Sequence, residues 1–365
     1  MKHRFLIVLC LLLLPFNVLA ISQNWLESLS EYAEAQVDDV SLYYHIKKPQ
    51  VYWDLANSLE KKIYLNSLGD NLFYLENDPD KLVILIDNII EKTAAKLGLV
   101  VPETNIFLYP DQKELYRVTA YNDGFYVVMG NEVHVTPNDL YKVLEYVMAA
   151  NYPNLERKLL MAMAKYYFPN YSRPHQQAQY WLNFQELPAL SIVNAKTTVS
   201  LDYKDWDAIA SFMGYLIETY PNLAWEEIKH LSDVETLLST NLFTLEQSWR
   251  KYLQSKFYLK LARNEEVLVG QDAVGACLIE NPGDPLNDVC LEIFNNNPHE
   301  ATMGYVTQRY YEQLNSKTNE LIRFKLSAPQ KGAEEIWLIA KMSYTDASGK
   351  EDVCLFSLPI KIVSI

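Results

Sequence analysis

Hydrophobic positions recur at two different periods along this chain, and the period changes near residue 260. Before that point, apolar residues fall three to four positions apart, which is the spacing of an amphipathic helix. The segments predicted to be helical are 25–69, 79–97, 138–150, 154–168, 205–220, 222–238 and 244–258. Beyond residue 264, apolar and polar residues alternate in about six short runs, which predict strands. The chain is therefore predicted to be of the α+β class, with an all-β sandwich at 261–365.

Short strand signals interrupt the helical pattern ahead of residue 138. The predicted strands lie at 71–76, 105–109, 124–129 and 132–135. The last two form a pair that turns at Gly130 and Asn131, since both residues tolerate the left-handed backbone of a tight turn. We therefore expect an N-terminal helical segment at 21–69, followed by a domain of a small sheet and a helical bundle at 70–260.

The first twenty residues have the features of an export signal. Lys2 and Arg4 precede an apolar run, and small residues stand at the end of the segment. The run is shorter than the roughly 20 residues that cross a bilayer core, which favours a cleaved signal over a retained anchor. We expect an exported protein, periplasmic or secreted, that loses residues 1–20 and has no membrane span in the remainder.

The charge balance narrows the choice of partners. The chain has 46 acidic against 32 basic residues, a net charge of −14 at pH 7. A chain this acidic, without Lys/Arg clusters, is repelled by phosphate backbones, so nucleic acid is not an expected partner. Its 26 tyrosines favour a binding surface, because rigid amphipathic rings serve protein and glycan contacts well.

Three cysteines lie beyond the predicted signal: Cys277, Cys290 and Cys354. An exported protein is in a compartment that permits disulfides, so one bridge and one remaining thiol is the simplest arrangement. Cys277 and Cys290 flank a turn rich in Pro and Gly between two predicted strands, and they are the preferred pair. Cys354 remains an alternative partner for either of them.

Four segments within residues 70–258 carry a family resemblance. Residues 105–111 read Asn-Ile-Phe-Leu-Tyr-Pro-Asp, and residues 161–167 read Met-Ala-Met-Ala-Lys-Tyr-Tyr. Residues 210–216 read Ala-Ser-Phe-Met-Gly-Tyr-Leu, and residues 245–253 read Leu-Glu-Gln-Ser-Trp-Arg-Lys-Tyr-Leu. In this order the segments resemble the gluzincin metallopeptidases of the peptidase MA-like family, over about half of the chain.

The resemblance identifies where such an enzyme would hold its zinc. The family carries His-Glu-x-x-His on its first active-site helix, because histidines four apart reach one metal and the glutamate activates the bound water. In the same register this chain reads Leu-Glu-Tyr-Val-Met at 144–148, and Met161 stands at the third ligand position. Leu144, Met148 and Met161 cannot replace imidazole and carboxylate ligands. The resemblance thus implies a scaffold without metal or other cofactor, its former site filled by apolar side chains.

Glu145 stands at the position of the glutamate in His-Glu-x-x-His, and it is the one residue of that motif and its third ligand that this chain keeps. Without a metal-bound water it has nothing to deprotonate, so we interpret it as vestigial. In the family fold, the strand of Glu132 and His134 borders the substrate cleft. The candidate cleft residues are Phe125, Tyr126, Val127, Glu132, His134 and Glu145.

The predicted function is binding rather than catalysis. The chain is read as a non-catalytic pseudo-metallopeptidase that binds a protein or peptide, or holds an assembly together. A cleft shaped for an extended peptide keeps its strand edge when the metal is lost, so capture by strand addition remains open to it. Two alternatives stay open. One is an active hydrolase or peptidase that uses Glu145 with an acidic partner such as Glu132. The other is a glycan- or envelope-binding module built on the sandwich.

Overall fold

In the computed structural model, the chain divides into two units. The structure describes residues 31–66, 80–170, 172–256, 258–262, 266–296, 302–305, 307–327 and 335–363. One unit comprises residues 1–60 and 73–153, and the other comprises 61–72 and 154–365. In this division, most of the predicted N-terminal segment shares a unit with residues 73–153, and the helical segment after residue 154 is grouped with the C-terminal strands. The predicted domain boundaries near residues 70 and 260 stay a prediction. The predicted signal at 1–20 and the predicted strand at 71–76 lie outside the described residues.

The first unit is built on a mixed five-stranded sheet. Its strands are β1 (Tyr32–Val37), β2 (Val40–His45), β3 (Thr104–Leu108), β4 (Phe125–Val127) and β5 (Glu132–Val135). They lie in the order β1-β2-β3-β5-β4. The three central strands are parallel, and both edge strands run antiparallel to their neighbours. The helices are α1 (Pro49–Asn66), whose end belongs to the second unit, α2 (Lys81–Leu97), α3 (Gln112–Thr119) and α4 (Lys142–Asn151).

The prediction of an N-terminal helical segment at 21–69 is wrong in its described first part. Residues 32–45 form an antiparallel hairpin that turns through Asp38, whose φ is 46°. Val40 and Leu42 are buried from alternate positions of β2, so the period there is two and not 3.6. The helical prediction after Pro49 is confirmed by α1.

Local capping signals set the ends of two helices in this unit. α2 ends at Gly98, whose φ of 67° lies in the left-handed region that glycine adopts without steric cost. α3 begins after Asp111, whose side chain accepts the backbone N–H of Glu114 at 2.9 Å. The end of α2 agrees with the helix that the sequence predicts at 79–97.

The second unit begins with a group of helices. They are α5 (Arg157–Tyr167), α6 (Pro174–Asn183), α7 (Leu190–Ala195), α8 (Tyr203–Thr219), α9 (Leu231–Leu237) and α10 (Leu242–Ser255). α8 has ten buried residues, more than any other of these helices, and a capping box of Asp202 and Asp205 opens it. The sequence predicts α5, α8 and α10 well, but it overextends α9 to 222–238 and misses α6 and α7.

Two sheets complete the second unit. Their strands are β6 (Tyr258–Ala262), β7 (Glu266–Leu268), β8 (Asp272–Asn281), β9 (Leu286–Asn295), β10 (Thr302–Tyr305), β11 (Gln308–Leu314), β12 (Thr318–Ser327), β13 (Glu335–Thr345) and β14 (Glu351–Val363). The sheets have the orders β10-β12-β8-β6 and β11-β9-β13-β14-β7. All of their described strand pairs are antiparallel except the parallel pair of β14 and β7. Inward-facing residues such as Phe324 and Phe356 form one apolar core. The prediction of a β-rich C-terminal region is confirmed, with nine described strands where the sequence predicts about six.

The predicted disulfide between Cys277 and Cys290 is not formed, and all three cysteines in the described residues are free. Cys277 lies on β8 and faces the apolar core, whereas Cys290 lies on β9 of the other sheet. Its strand neighbours Val289 and Leu291 point into the core, so Cys290 points outward. A bridge needs both Cβ vectors to converge, which these two orientations do not allow. Burial raises the pKa of the Cys277 thiol to about 12.

Within the described parts of the chain, no helix combines the length and the apolar composition that crossing a membrane requires.

Candidate functional site

β5 places Glu132 and His134 on one face of the sheet, as the alternation predicts. His134 is only 2% exposed, and its ring stacks between Phe107 and Phe125 at centroid distances of 4.9 and 4.5 Å. Its Nδ1 lies 2.9 Å from the hydroxyl of Tyr109, and its Nε2 lies 3.4 Å from a carboxylate oxygen of Glu132. The prediction that His134 lines a cleft is therefore wrong: it is a packed and hydrogen-bonded core histidine.

The helix that carries Glu145 covers the other face of this sheet. Tyr126 on β4 pairs with Val133 on β5, and the Tyr126 ring contacts Tyr146 of α4 at a centroid distance of 6.2 Å. Side chains alternate along a strand, so Glu132 points away from the face that meets α4. Glu132 and Glu145 are therefore on opposite sides of the sheet. Glu132 cannot act as the acidic partner that the hydrolase alternative requires.

Glu145 itself is closed off from solvent. Its exposed fraction is 0%, and its Oε2 lies 4.0 Å from the ammonium of Lys142, which is also buried. A general base must reach the proton that it abstracts, and this carboxylate has no access to a solvent-borne substrate. The arrangement fits the interpretation of Glu145 as a residue without a catalytic role.

The three positions that correspond to metal ligands are buried and apolar. Leu144 and Met148 lie inside the first unit on α4, and Met161 lies on α5 in the second unit. Leu144 and Met148 thus serve as core residues of their unit. The proximity of Met161 to these two residues, which the resemblance implies, stays a prediction.

The free edge of the sheet is the most accessible part of the predicted cleft. β4 pairs with β5 on one side, and among the described residues no strand pairs with its other side. Phe125 and Tyr126 are half-buried, Val127 is 42% exposed and Met129 is fully exposed. An open strand edge next to exposed apolar side chains is suited to pairing with another extended chain.

One cluster in the first unit has the spacing of metal ligands. Atoms of Glu31, His45 and Glu114 lie within 4.8 Å of one another, and no other such cluster occurs in the described residues. The Nδ1 of His45 accepts the backbone N–H of Lys47 at 3.1 Å, so the neutral ring carries its proton on Nε2, the atom that faces the carboxylates. Lys47 pairs with Glu31, and Arg117 donates to Glu114 and lowers the pKa of that carboxyl. The chain's own cations already balance these acids, so the donor set does not fit a metal ion.

Helices α6, α8 and α10 build a polar network that sequence reasoning missed. Trp249 donates to the Ser211 hydroxyl at 3.1 Å, and Nδ1 of His175 lies 2.8 Å from the same oxygen. The Nε2 of His175 lies 3.6 Å from the Glu218 carboxylate. The order Ser-His-Glu has the residue types of a hydrolase triad, but Ser211 is fully buried and cannot meet a substrate. The network is therefore structural.

Two tyrosines complete the environment of Glu218. Tyr166 and Tyr252 both donate their hydroxyls to its carboxylate. Burial disfavours the charged form, but His175 and the two phenols outweigh it and hold the pKa of Glu218 well below its ordinary value. The sequence signal was weak, because His175 lies on a helix that the periodicity did not predict.

No protein-family model and no curated protein sequence matches this chain. Among solved structures, it is similar to the CARDB domain of a Pyrococcus furiosus protein, with 13% identity over 30% of this chain and 88% of that domain, at a TM-score of 0.23. It is also similar to a cohesin module of a Clostridium perfringens family 33 glycoside hydrolase, with 16% identity over 30% of this chain and 99% of the module, at a TM-score of 0.21. Likenesses at this level carry no statement about the function of this chain.

Proposed function

We propose that this chain is an exported, non-catalytic pseudo-metallopeptidase that binds an extended peptide segment along the β4 edge. The observation that carries the proposal is the open β4 edge, with Val127 and Met129 exposed beside it. The buried Lys142–Glu145 pair supports the non-catalytic part, because it leaves no accessible general base on α4.

The order of elements supports the family assignment. The four segments that carry the resemblance to the gluzincin peptidases lie on or beside β3, α5, α8 and α10, and α4 carries the register of the first active-site helix. In the proposed scaffold, the antiparallel edge strand presents backbone groups to a peptide, and α4 supplies packing in place of a metal site.

Peptide binding tests the edge directly. An array of unbiased decapeptides identifies the tightest ligand for the chain without its predicted signal, and fluorescence anisotropy measures the affinity. We expect the V127K/M129K double variant to weaken binding at least about tenfold, because lysine on an edge strand opposes strand addition. Val100 is exposed on a loop of the same unit, so V100K is the matched control and is expected to bind normally. Binding that is indifferent to substitutions along 125–129 contradicts the proposal.

Metal content tests the loss of catalysis. The untagged chain, re-equilibrated with zinc and dialysed, is expected to retain less than about a tenth of an equivalent by elemental analysis, because neither Leu nor Met supplies a zinc ligand. One full equivalent that survives dialysis would require ligands other than positions 144, 148 and 161. The alternative of an active peptidase would then have to be reopened.

A further inference from the structure

A polar cavity of about 610 Å³ lies in the second unit, at the end of α10. Ser255 and Lys256 form one side of it, the turn 281–286 between β8 and β9 forms another, and the β13–β14 hairpin loop forms the third; the fourth side is open to solvent. The volume falls within the range of about 300–1,000 Å³ that is typical of small-molecule sites.

Both turns that line the cavity are held in place by hydrogen bonds. The buried amide of Asn281 donates to the carbonyl of Asp284 at 2.9 Å and to that of Leu314 at 3.2 Å. In the hairpin loop, Oδ1 of Asp346 accepts the backbone N–H groups of Ser348 and Lys350 at 2.8 and 3.0 Å. A ligand would therefore meet walls that are already formed, which reduces the conformational entropy that binding costs.

The charges around the cavity are nearly balanced. Asp284, Asp346 and Asp352 contribute carboxylates, and Lys256 and Lys350 contribute ammonium groups. Arg173 pairs with Asp352 at 3.1 Å and offsets a further negative charge. The lining therefore favours neither an anionic nor a cationic ligand. Among the described residues, the carboxylates of this cavity do not lie close enough together to form a metal-ligand cluster.

The lining also determines the chemistry of the ligand. Carboxylates, ammonium groups and serine hydroxyls offer many acceptors and donors, whereas Leu286 and Tyr344 are the only large apolar side chains among the described residues of the lining. A ligand that buries these groups must satisfy their hydrogen bonds, since an unpaired polar group is costly. We propose that this cavity binds a short neutral oligosaccharide, whose hydroxyls both donate and accept hydrogen bonds and whose apolar ring face can contact the part of Tyr344 that lines the cavity and is not packed on the core.

Isothermal titration calorimetry on the chain without its predicted signal tests this site. The probes are chitotriose, cellotriose and maltotriose, with trialanine as a peptide of similar size. We expect one trisaccharide to bind with a Kd below about 1 mM, and D284N and K350A each to weaken it at least about tenfold. Both positions are exposed, so neither variant should unfold the chain, and thermal unfolding verifies this. Glu351 is exposed next to Asp352 on β14 but does not line the cavity, so E351Q is the matched control.

Three results would overturn the inference. They are the absence of trisaccharide binding at about 5 mM, binding that D284N and K350A leave unchanged, and trialanine binding that these variants abolish. The V127K/M129K variant is expected to bind the trisaccharide normally. The experiment can therefore contradict oligosaccharide binding in the cavity without contradicting peptide binding at the β4 edge, and the reverse also holds.

Discussion

E145L is expected to destabilise the protein by about 3–5 kcal/mol, although Glu145 has no catalytic role in the proposed function. Lys142 and Glu145 are both buried on α4, with Nζ and Oε2 4.0 Å apart. Removing the carboxylate leaves an ammonium group inside the protein without the charge that offsets its desolvation. Urea unfolding followed by circular dichroism measures the change as a lower midpoint.

The double variant K142M/E145L separates the ion pair from the packing. When both charges are replaced by apolar side chains of similar size, the cost is often small, so we expect most of the lost stability to return. The exposed pair of Arg309 and Glu320 provides the control, and E320Q is expected to change stability by less than about 1 kcal/mol. Two results would contradict this account. One is an E145L variant that is as stable as the unchanged chain, and the other is a K142M/E145L double variant that is less stable than E145L.

G214A is expected to destabilise the second unit by about 2–4 kcal/mol. Gly214 lies on α8, and a Cβ atom there would overlap the ring of Tyr166 on α5. The ring would have to move, and the Tyr166 hydroxyl would lose its hydrogen bond to the Glu218 carboxylate. Glu218 lies one helical turn after Gly214. The loss therefore combines overpacking with a broken hydrogen bond to a charged group, and thermal unfolding measures it.

A second substitution, Y166A, tests whether the Tyr166 ring causes the loss of stability in G214A. In the Y166A background, the three atoms that lie nearest to the added methyl group are gone, so G214A should cost much less there than in the unchanged chain. G304A is the control, because its new Cβ would come no closer than 3.5 Å to Lys325, which is ordinary van der Waals contact. If G214A costs the same with and without Tyr166, a different contact limits this position.

Elements with strong local signals could be predicted from the sequence. Gly98 ends α2 and Asp111 opens α3, because a left-handed cap and a side-chain cap involve only neighbouring residues. The strand alternation after residue 264 identified the sandwich for a similar reason. A side-chain cap of the same kind opens α10, where Asn241 accepts the backbone N–H of Thr244.

The hairpin at residues 32–45 shows the limit of periodicity. Its aromatic and alanine residues are compatible with both helical and strand spacing over so short a segment. Parallel pairing of β2 with β3, about sixty residues away in the chain, selects the strand conformation. Such a contact leaves no mark in the local sequence.

The sequence by itself determined which side chains stand at positions 144, 148 and 161: leucine has no donor atom, and the two methionines offer only a thioether, which is a poor ligand for zinc. It also determined most helices and strands, whose signals lie within a few residues. Only the tertiary structure decided which faces meet. It placed Glu132 and Glu145 on opposite sides of a sheet, turned Cys290 away from the core, and joined His175, Ser211 and Glu218 from two helices. Packing brings together residues that are distant in sequence. The burial of apolar surface that drives packing is non-directional, so a local sequence pattern does not predict which distant residues will meet.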